Sequence, residues 1–336
     1  MLGRGRPKLV HATVAGNSLP ICVFSLHPTR DVVLEVPGLK LGGVSRAASW
    51  FTYPGGKALN AARTAGILGA RVKAVAVAPP QWASMLKEFL GRHRVGLEHV
   101  PAPGEGRICV MLNETGFGGH GRETVINTDL KMKLSREALK DVAHAVTREA
   151  REAGFVVFSG SPPPSLPLAR YRELAGLASS SRASFVLDQT GRWLRTGIRF
   201  RPWLIKPNLN EFHQLLGRRT RSWSDLLASA GEVRSRGVGR VLLSLGDGGC
   251  LLASPAGRWF APPVPPAPGV AELSPLGSGD ALLGGFLHAV AAGDEEPEAL
   301  RTGVAAATAN LARRGACLMT AAEVRSLRCR VVVRPV

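Results

Sequence analysis

From residue 276 to residue 287 the chain reads LGSGDALLGGFL, a glycine loop that runs directly into an apolar helical segment. Pro275 ends whatever precedes the loop. The glycines Gly277 and Gly279, on either side of Ser278, allow backbone N–H groups to point in one direction, and the following helix adds the positive end of its dipole. The stretch therefore predicts an anion site, although an ordinary capped helix needs the same residue types.

Asp280 falls in the first turn of that predicted helix. At this position a carboxylate lies close enough to a bound anion to accept a proton from a hydroxyl group that attacks it. Asp is also a common helix cap, so the residue has an ordinary structural interpretation as well. A short glycine-rich loop alone is a weak motif, and its interpretation depends on the rest of the chain.

Strand and helix patterns alternate from Ser135 onward, which is typical of a parallel sheet covered by helices on both faces. Before Ser135 the strands of the early region interrupt this alternation, and we expect them to form a small separate sheet. The predicted early elements are strands 21–26, 32–36, 44–53, 71–77, 106–113 and 123–127, helices 57–68 and 82–92, and a hairpin loop at 116–121. The later ones are helices 135–152, 167–179, 210–216, 224–236, 280–287 and 297–313, strands 155–158, 185–187, 203–205 and 240–245, and a proline-rich bend at 262–268.

In a doubly wound sheet, ligands bind beyond the carboxyl ends of the strands. Three polar stretches follow predicted strands here, and we expect them to converge with the glycine loop: 159–161, 206–211 and 244–249. Lys206 would be a cation for phosphates, Glu211 a carboxylate for Mg²⁺ and Asp280 a base for a hydroxyl group, which together suit phosphoryl transfer. Singly, Lys206 and Glu211 are also explained as a surface lysine and a helix-start carboxylate.

Composition limits the possible functions. The 336 residues are 45% hydrophobic and 20% charged, which indicates a globular chain, and no apolar run has the length of a membrane span. The formal net charge is +18, but arginine outnumbers lysine 34 to 9 and is spread along the chain without an aromatic stripe, so nucleic-acid binding is not favoured. Five separated cysteines without a CxxC pair favour neither disulfides nor zinc, and we expect a cytoplasmic protein. Residues 1–20 are expected to be a disordered extension or the result of a start codon assigned too early.

Two motifs, Gly55-Gly56-Lys57-Ala58-Leu59-Asn60 and Leu276-Gly277-Ser278-Gly279-Asp280-Ala281, resemble the signatures of the PfkB (ribokinase-like) carbohydrate kinases. Ser159-Gly160-Ser161-Pro162-Pro163, Lys206-Pro207-Asn208 with Glu211, and Ser244-Leu245-Gly246 support the resemblance in the same order. It extends from Ile21 to a C-terminal strand at 331–333. The chain is most similar to the branch that contains 1-phosphofructokinases and tagatose-6-phosphate kinases.

The resemblance implies a Rossmann-like, doubly wound, mostly parallel α/β domain over residues 21–336, with lid strands at about 29–54 and 105–128. The sugar would be held by Asp31, Gly55, Gly56, Lys57 and Asn60, and its existing phosphate by Arg46, Arg107 and Ser161. Gly277, Ser278 and Gly279 would form the anion hole beside the base Asp280. Lys206 would contact the transferring phosphate of ATP, and Asn208 and Glu211 would organise Mg²⁺. The nucleotide pocket would be lined by Ser244, Gly246 and Gly249.

The sequence departs from the family pattern mainly on the sugar side. His27 stands before Pro28 where the branch usually has Asn, and Ala58 stands where it usually has Gly. Ser165 also replaces the usual Gly that follows the Ser159-Gly160-Ser161 motif. The reaction type is therefore better specified than the sugar.

The resemblance predicts an ATP-dependent, Mg²⁺-requiring kinase that acts on a ketohexose phosphate and gives a bisphosphate. Fructose 1-phosphate, fructose 6-phosphate and tagatose 6-phosphate remain open. The alternatives are a kinase of a free sugar or nucleoside, against which Arg46 and Arg107 count, and a catalytically silent kinase-fold binding protein. We expect Trp50, Phe51 and Tyr53 to be exposed apolar and aromatic residues that one small sheet cannot cover alone, and hence a homodimer joined through the lids.

Overall fold

The structure of the protein is a computed structural model, and it describes residues 18–115, 122–128, 132–180, 182–266 and 274–336. The strands are β1 Ile21–Ser25, β2 Thr29–Pro37, β3 Ser49–Gly55, β4 Val72–Ala78, β5 Val95–Pro101, β6 Arg107–Thr115, β7 Arg122–Asn127, β8 Phe155–Ser159, β9 Ser184–Asp188, β10 Leu204–Ile205, β11 Arg240–Ser244, β12 Cys250–Ala253, β13 Arg258–Ala261 and β14 Arg334–Pro335. The helices are α1 Lys57–Ile67, α2 Ala83–Arg92, α3 Arg136–Glu152, α4 Leu168–Ser179, α5 Gly191–Gly197, α6 Leu209–Leu216, α7 Trp223–Ser235, α8 Ser278–Ala292, α9 Glu296–Leu311 and α10 Ala321–Arg328.

Ten of the described strands form one large sheet in the order β14-β13-β12-β11-β10-β9-β8-β1-β4-β5. The strands from β11 to β5 in that order are parallel, whereas β12, β13 and β14 add an antiparallel edge. Strand β8 shows how both faces are covered. Phe155 and Val157 belong to the core cluster that contains α1, α8 and α9, and Val156 and Phe158 belong to the cluster with α3 and α4. Each such buried side chain contributes about 1.5–3 kcal/mol.

A second, four-stranded sheet has the order β3-β2-β6-β7 and forms a lid. Its inner face carries the buried residues Val33, Tyr53, Cys109 and Met111, which pack against Phe89, Leu276 and Leu318. Because Leu276 immediately precedes Gly277, the lid lies directly against the glycine loop. The predicted fold class, a doubly wound and mostly parallel sheet with a small β-sheet lid, is confirmed.

Several predicted elements need correction. The strand predicted at 44–53 begins only at Ser49, since Val44 is exposed and unpaired with β2. Residues 331–333 are not a strand, and the C-terminal strand is the short β14. Tyr53 is not exposed: its side chain is 2% exposed and its hydroxyl accepts a hydrogen bond from Ala316 N at 2.8 Å. The loop predicted at 116–121 lies outside the described residues, as do residues 1–17 and part of the bend at 262–268.

The sequence patterns missed β5, β12, β13, α5 and α10. These elements are short or mixed in polarity, and their positions are set by neighbours in space. Strand β5, for example, pairs in parallel with β4 over seven residues although its own burial alternates weakly. None of the helices in the described ranges combines the length and hydropathy needed to cross a bilayer.

Candidate active site

The loop before α8 has the geometry of an anion site. Gly277 is the N-cap of α8 with φ +79°, and no side chain caps this helix start. A Cβ at Gly277 would lie 2.5 Å from Ala316 Cβ, so both the backbone angle and the space require glycine. Ser278 N–H donates to Pro275 O at 3.1 Å and Ala281 N–H donates to Gly277 O at 2.8 Å, which leaves the amides of Gly279 and Asp280 between them to face an anion.

Asp280 is buried on the first turn of α8, with 6% of its surface exposed. Asn60 of α1 donates from Nδ2 to Asp280 Oδ2 at 2.9 Å. Burial, followed by the negative charge of Asp188, raises the pKa of Asp280 to about 7, although Lys57, Asn60 and Lys206 act in the opposite direction. A carboxyl group with this pKa can accept a proton near neutral pH.

A charged cluster lies beside Asp280 and consists of Lys206, Asp188, Lys57 and Glu211. Lys206 Nζ lies 3.2 Å from Asp188 Oδ1, and Lys57 Nζ lies 3.6 Å from the same oxygen and 3.2 Å from Glu211 Oε1. A Cβ at Gly279 would lie 3.2 Å from Lys206 Nζ, which places this ammonium group at the start of α8. Burial would raise the pKa of Asp188, but Lys206 and Lys57 hold it below its usual value. Burial would lower the pKa of Lys57, and the carboxylates of Asp188, Glu211 and Asp280 together raise it instead.

The residues predicted on the nucleotide side lie around the starts of α6 and of the β11–β12 turn. Asn208 and Glu211 form a capping box, in which Glu211 N donates to Asn208 Oδ1 and Asn208 N donates to Glu211 Oε2, both at 2.9 Å. Asn208 also forms a parallel bridge with Ser244. Gly246 and Gly249 follow in the turn, where both have positive φ. These residues therefore share the carboxyl edge of the sheet with Lys206.

Asp31 is the centre of the lid side of the site. It is buried, and Thr29 Oγ1 donates to its Oδ1 at 2.5 Å. Burial raises the pKa of Asp31 to about 6, against the effects of the Thr29 hydrogen bond and of the charges on Arg63 and Arg107. A Cβ at Gly55 would overlap the Asp31 carboxylate, so the Gly55-Gly56 turn can approach this group only because residue 55 is glycine.

The two arginines predicted to bind the phosphate of the sugar lie at opposite ends of the lid. Arg107 pairs with Thr29 in the β2–β6 register and so shares a sheet face with Asp31, and its Nη2 donates to Asn127 Oδ1 at 2.8 Å. Arg46 is exposed in the connection between β2 and β3, beyond the Glu35–Ser49 pair at the opposite end of the lid. The expectation that Arg46 lies on a lid strand is therefore wrong.

Ser161 lies at the carboxyl end of β8, beside the charged cluster. Its Oγ is 3.2 Å from Thr190 Oγ1, and the neighbouring Gly160 N donates to Asp188 O at 2.9 Å. Ser161 is exposed, so its hydroxyl group is accessible to a ligand. Its role in binding a phosphate stays a prediction.

Two residues of the site were missed in the sequence. Asp188 ends β9. It directly follows the predicted strand 185–187, and this position after a parallel strand is the same signal that indicates the other site residues. The signal for Arg63 is weaker. Arg63 lies three residues after Asn60 in helix α1, and this spacing alone indicates that the two side chains share a face of the helix.

The site is of the phosphotransferase type. It combines an uncapped helix start, a buried carboxylate and a lysine at the edge of an α/β sheet, and a lid lies against it. The sequence model of the pfkB family carbohydrate kinases matches residues 21–322. The chain therefore belongs to the pfkB carbohydrate kinase family, and its fold is ribokinase-like.

Two relatives and one solved structure align with most of the chain. It is 27% identical to the 1-phosphofructokinase of Bacillus subtilis over 292 residues, covering 86% of this chain and 91% of that protein. It is 29% identical to the 1-phosphofructokinase of Rhodobacter capsulatus, covering 86% and 89%. The phosphofructokinase-2 of Escherichia coli, solved in complex with fructose-6-phosphate, superposes with a TM-score of 0.83 at 23% identity, over 93% of this chain and 99% of that one.

Proposed function

We propose that this protein is an ATP-dependent, Mg²⁺-requiring kinase that phosphorylates a hydroxymethyl group of a ketohexose phosphate and so forms a bisphosphate. The observation that carries this proposal is Asp280 on the first turn of an uncapped helix, held by Asn60 and near Lys206. The face of the lid that carries Asp31 and Arg107 packs against Leu276, just before the same helix. The names of the two bacterial relatives and the sugar phosphate in the Escherichia coli structure support the same substrate class.

In this mechanism Asp280 accepts the proton of the hydroxymethyl group while the oxygen of that hydroxymethyl group attacks the γ-phosphorus of ATP. The new O–P bond forms as the bond from phosphorus to the β,γ-bridging oxygen breaks, and ADP leaves. Negative charge spread over the transferred phosphoryl oxygens is stabilised by the first-turn amides of α8 and by the Lys206 ammonium group. Asp31 and the Gly55-Gly56 turn orient the sugar hydroxyls.

The residues present suit a magnesium ion. Glu211 and Asp188 both contact the Lys57 ammonium, so their carboxylates lie close together, and Mg²⁺ commonly takes one or two carboxylates along with water and substrate phosphates. We infer that these two side chains hold Mg²⁺ directly or through water. When bound, the ion neutralises phosphate charge.

The substrate is tested by a coupled assay of ADP release with fructose 1-phosphate, fructose 6-phosphate, tagatose 6-phosphate, and free fructose, ribose and adenosine. We expect kcat/KM for at least one ketohexose phosphate to exceed that of each unphosphorylated compound by roughly a hundredfold or more, given the energy of pairing a phosphate with arginine. The Asp280→Asn protein, purified identically, controls for contaminating kinases. Preference for an unphosphorylated compound would contradict the proposal, and no turnover with any of them would favour a silent binding protein.

We also propose a homodimer joined through the lids. Strand alternation puts a continuous apolar surface on the outer face of the lid: Val32, Leu34, Trp50, Ile108, Val110, Leu112 and Ile126. Trp50 is 63% exposed and Ile126 50% exposed. Apolar surface of this kind on a sheet is typical of a face that another protein surface covers.

Ile126→Lys is expected to weaken the dimer by roughly a hundredfold or more, because a lysine in a desolvated apolar interface is costly. Light scattering across a dilution series measures the shift. Val332→Lys introduces the same charge at a side chain that is 60% exposed and distant in sequence from the lid, and should leave the mass unchanged. A wild-type protein that is monomeric at all concentrations and fully active would contradict this proposal.

A further inference from the structure

Arg63 is among the largest side chains that are fully buried in the described residues. A buried guanidinium is costly unless its donors are satisfied. Its Nε donates to Cys317 O at 2.9 Å, Nη1 to Pro54 O at 3.3 Å, and Nη2 to Asn60 Oδ1 at 3.0 Å and to Ala316 O. Its planar group also lies 5.1 Å from the Tyr53 ring centre and 5.0 Å from that of Phe89. The groups in direct contact with the charge are thus neutral oxygens and ring faces, and the carboxyl group of Asp31 lies near enough for Arg63 to lower its pKa.

These partners belong to three parts of the site. Pro54 is the last residue but one of lid strand β3, just before Gly55 and Gly56, and Asn60 is the partner of the base. The Ala316–Cys317 segment reaches the anion loop through Asn310, which accepts from Cys317 N at 2.6 Å and donates to Leu276 O at 2.8 Å and to Ser278 Oγ at 3.0 Å. Arg63 therefore connects the lid, the base and the phosphate side.

The contact with Asn60 has a definite chemical consequence. An Asn side chain can present either its oxygen or its NH₂ group to a neighbour, whereas arginine only donates. Because Arg63 Nη2 requires an acceptor, Asn60 must turn Oδ1 toward it, and Nδ2 then faces Asp280 Oδ2. The reverse orientation would place two donors together at Arg63 and two oxygens together at Asp280.

We propose that Arg63 is a positioning residue that fixes the orientation of the Asn60 amide and thereby the geometry of the Asp280 carboxylate. The role rests on the proposed kinase function only in so far as Asp280 is the base. The hydrogen bond from Nδ2 occupies Oδ2 and leaves Oδ1 of Asp280 to accept a proton. Lysine at position 63 would keep a positive charge but lose the planar fork that contacts Asn60 and the two carbonyls together.

Arg63→Lys is expected to lower kcat about tenfold or more, while the Kd for a non-hydrolysable ATP analogue changes less than about twofold. The deciding comparison is a double-mutant cycle with Asn60→Ala. If Arg63 acts through Asn60, adding Arg63→Lys to Asn60→Ala should lower kcat further by less than about twofold. Independent, multiplicative losses would overturn the proposal, as would an unchanged kcat in Arg63→Lys.

Arg240→Lys is the matched control for the loss of a buried guanidinium. Arg240 is also largely buried, with Nε 2.7 Å from Glu296 Oε1 and its planar group over the Trp203 ring, but it begins β11 at the edge of the sheet opposite to the site. This variant is expected to unfold at a lower temperature with kcat within about twofold of wild type. An Arg240→Lys protein that loses as much kcat as Arg63→Lys would mean that the effect is general destabilisation.

A measurement without turnover separates this inference from the proposed function. The side-chain ¹⁵N–¹H signals of Asn60, assigned by their loss in Asn60→Ser, should be protected from solvent exchange in the wild type and in Arg240→Lys. In Arg63→Lys we expect exchange to be at least about tenfold faster, because the amide has lost the contact that holds it. Equal protection in Arg63→Lys would overturn the proposal even if no substrate were found.

Discussion

Asp280→Asn is expected to lower kcat by roughly a hundredfold or more, the usual scale for the loss of a general base. The amide keeps the size of the side chain but cannot accept the hydroxyl proton in the same way. The affinity for ATP should change little, since in the proposed mechanism the groups that bind its phosphates are the first-turn amides of α8 and Lys206, which the substitution leaves in place. Steady-state kinetics and direct titration with an ATP analogue measure the two quantities separately. Near-normal turnover would show that another group is the base.

The pH dependence gives a second test of the same residue. Asp280 must be deprotonated to act as a base, and burial raises its pKa to about 7, so kcat of the wild type should decrease as the pH falls through about 7. Asp141→Asn, on the exposed surface of α3, removes a carboxylate elsewhere and should keep both the rate and its pH profile. A wild-type kcat that is flat from pH 5 to pH 8 would contradict the assignment.

Stability should change in the opposite direction to activity. The folded-state pKa of Asp280 lies above the ordinary value of 3.8, so the carboxyl group is more favourable in the fold when protonated, and this contribution is lost as the pH rises through about 7. At pH 8 the Asn variant should therefore be at least as stable as the wild type in thermal unfolding, with a smaller difference at pH 5. An inactive variant that is also strongly destabilised would point to misfolding.

The sequence was informative where local chemistry alone determines the structure. The glycine loop at 277–279 could be predicted because Gly277 has a positive φ and lies against Ala316, where no side chain fits. The Asn208–Glu211 capping box is likewise a motif of neighbouring residues. The alternation of β and α elements after Ser135 similarly predicts the parallel sheet, because each strand is buried on both faces.

The parts that could not be predicted depend on contacts between distant segments. Arg63 is an ordinary arginine in its helix until the fold brings Ala316 and Cys317, more than 250 residues away in the chain, against it. The edge strands β12 to β14 pair antiparallel onto a parallel sheet, which no periodicity within each short segment reveals. Tyr53 was expected at the surface because one small sheet cannot cover so many apolar and aromatic residues, but strand alternation turns it inward toward Phe89.

The largest expected effect on sugar recognition belongs to Arg107. A ketohexose phosphate brings a dianion that has to be paired, and the planar fork of arginine suits phosphate oxygens better than any other side chain. Arg107 begins β6 beside Thr29 and on the face of Asp31, so a sugar whose hydroxyls bind Asp31 would lie within its reach. Asn127 Oδ1, which accepts from Nη2 at 2.8 Å, orients the guanidinium group.

Arg107→Ala is therefore expected to raise KM for the sugar phosphate by about 30-fold to 1000-fold, equivalent to about 2–4 kcal/mol, the range for truncating one partner of a hydrogen-bonded charge pair. KM for ATP should remain nearly constant, because the proposed mechanism puts the nucleotide on the other side of the transferred phosphoryl group. Arg30→Ala is the matched control: Arg30 is next to Thr29 on β2, but it is exposed on the outer face of the lid, where its Nε donates to Thr52 Oγ1 at 3.2 Å. Because that face is the one proposed to join the dimer, light scattering must first show that Arg30→Ala keeps the mass of the wild type. Equal losses for both substrates in Arg107→Ala would indicate a folding defect. Unchanged KM values for both would mean that no phosphate binds at this arginine, and the kinase of an unphosphorylated sugar would become the better interpretation of the site.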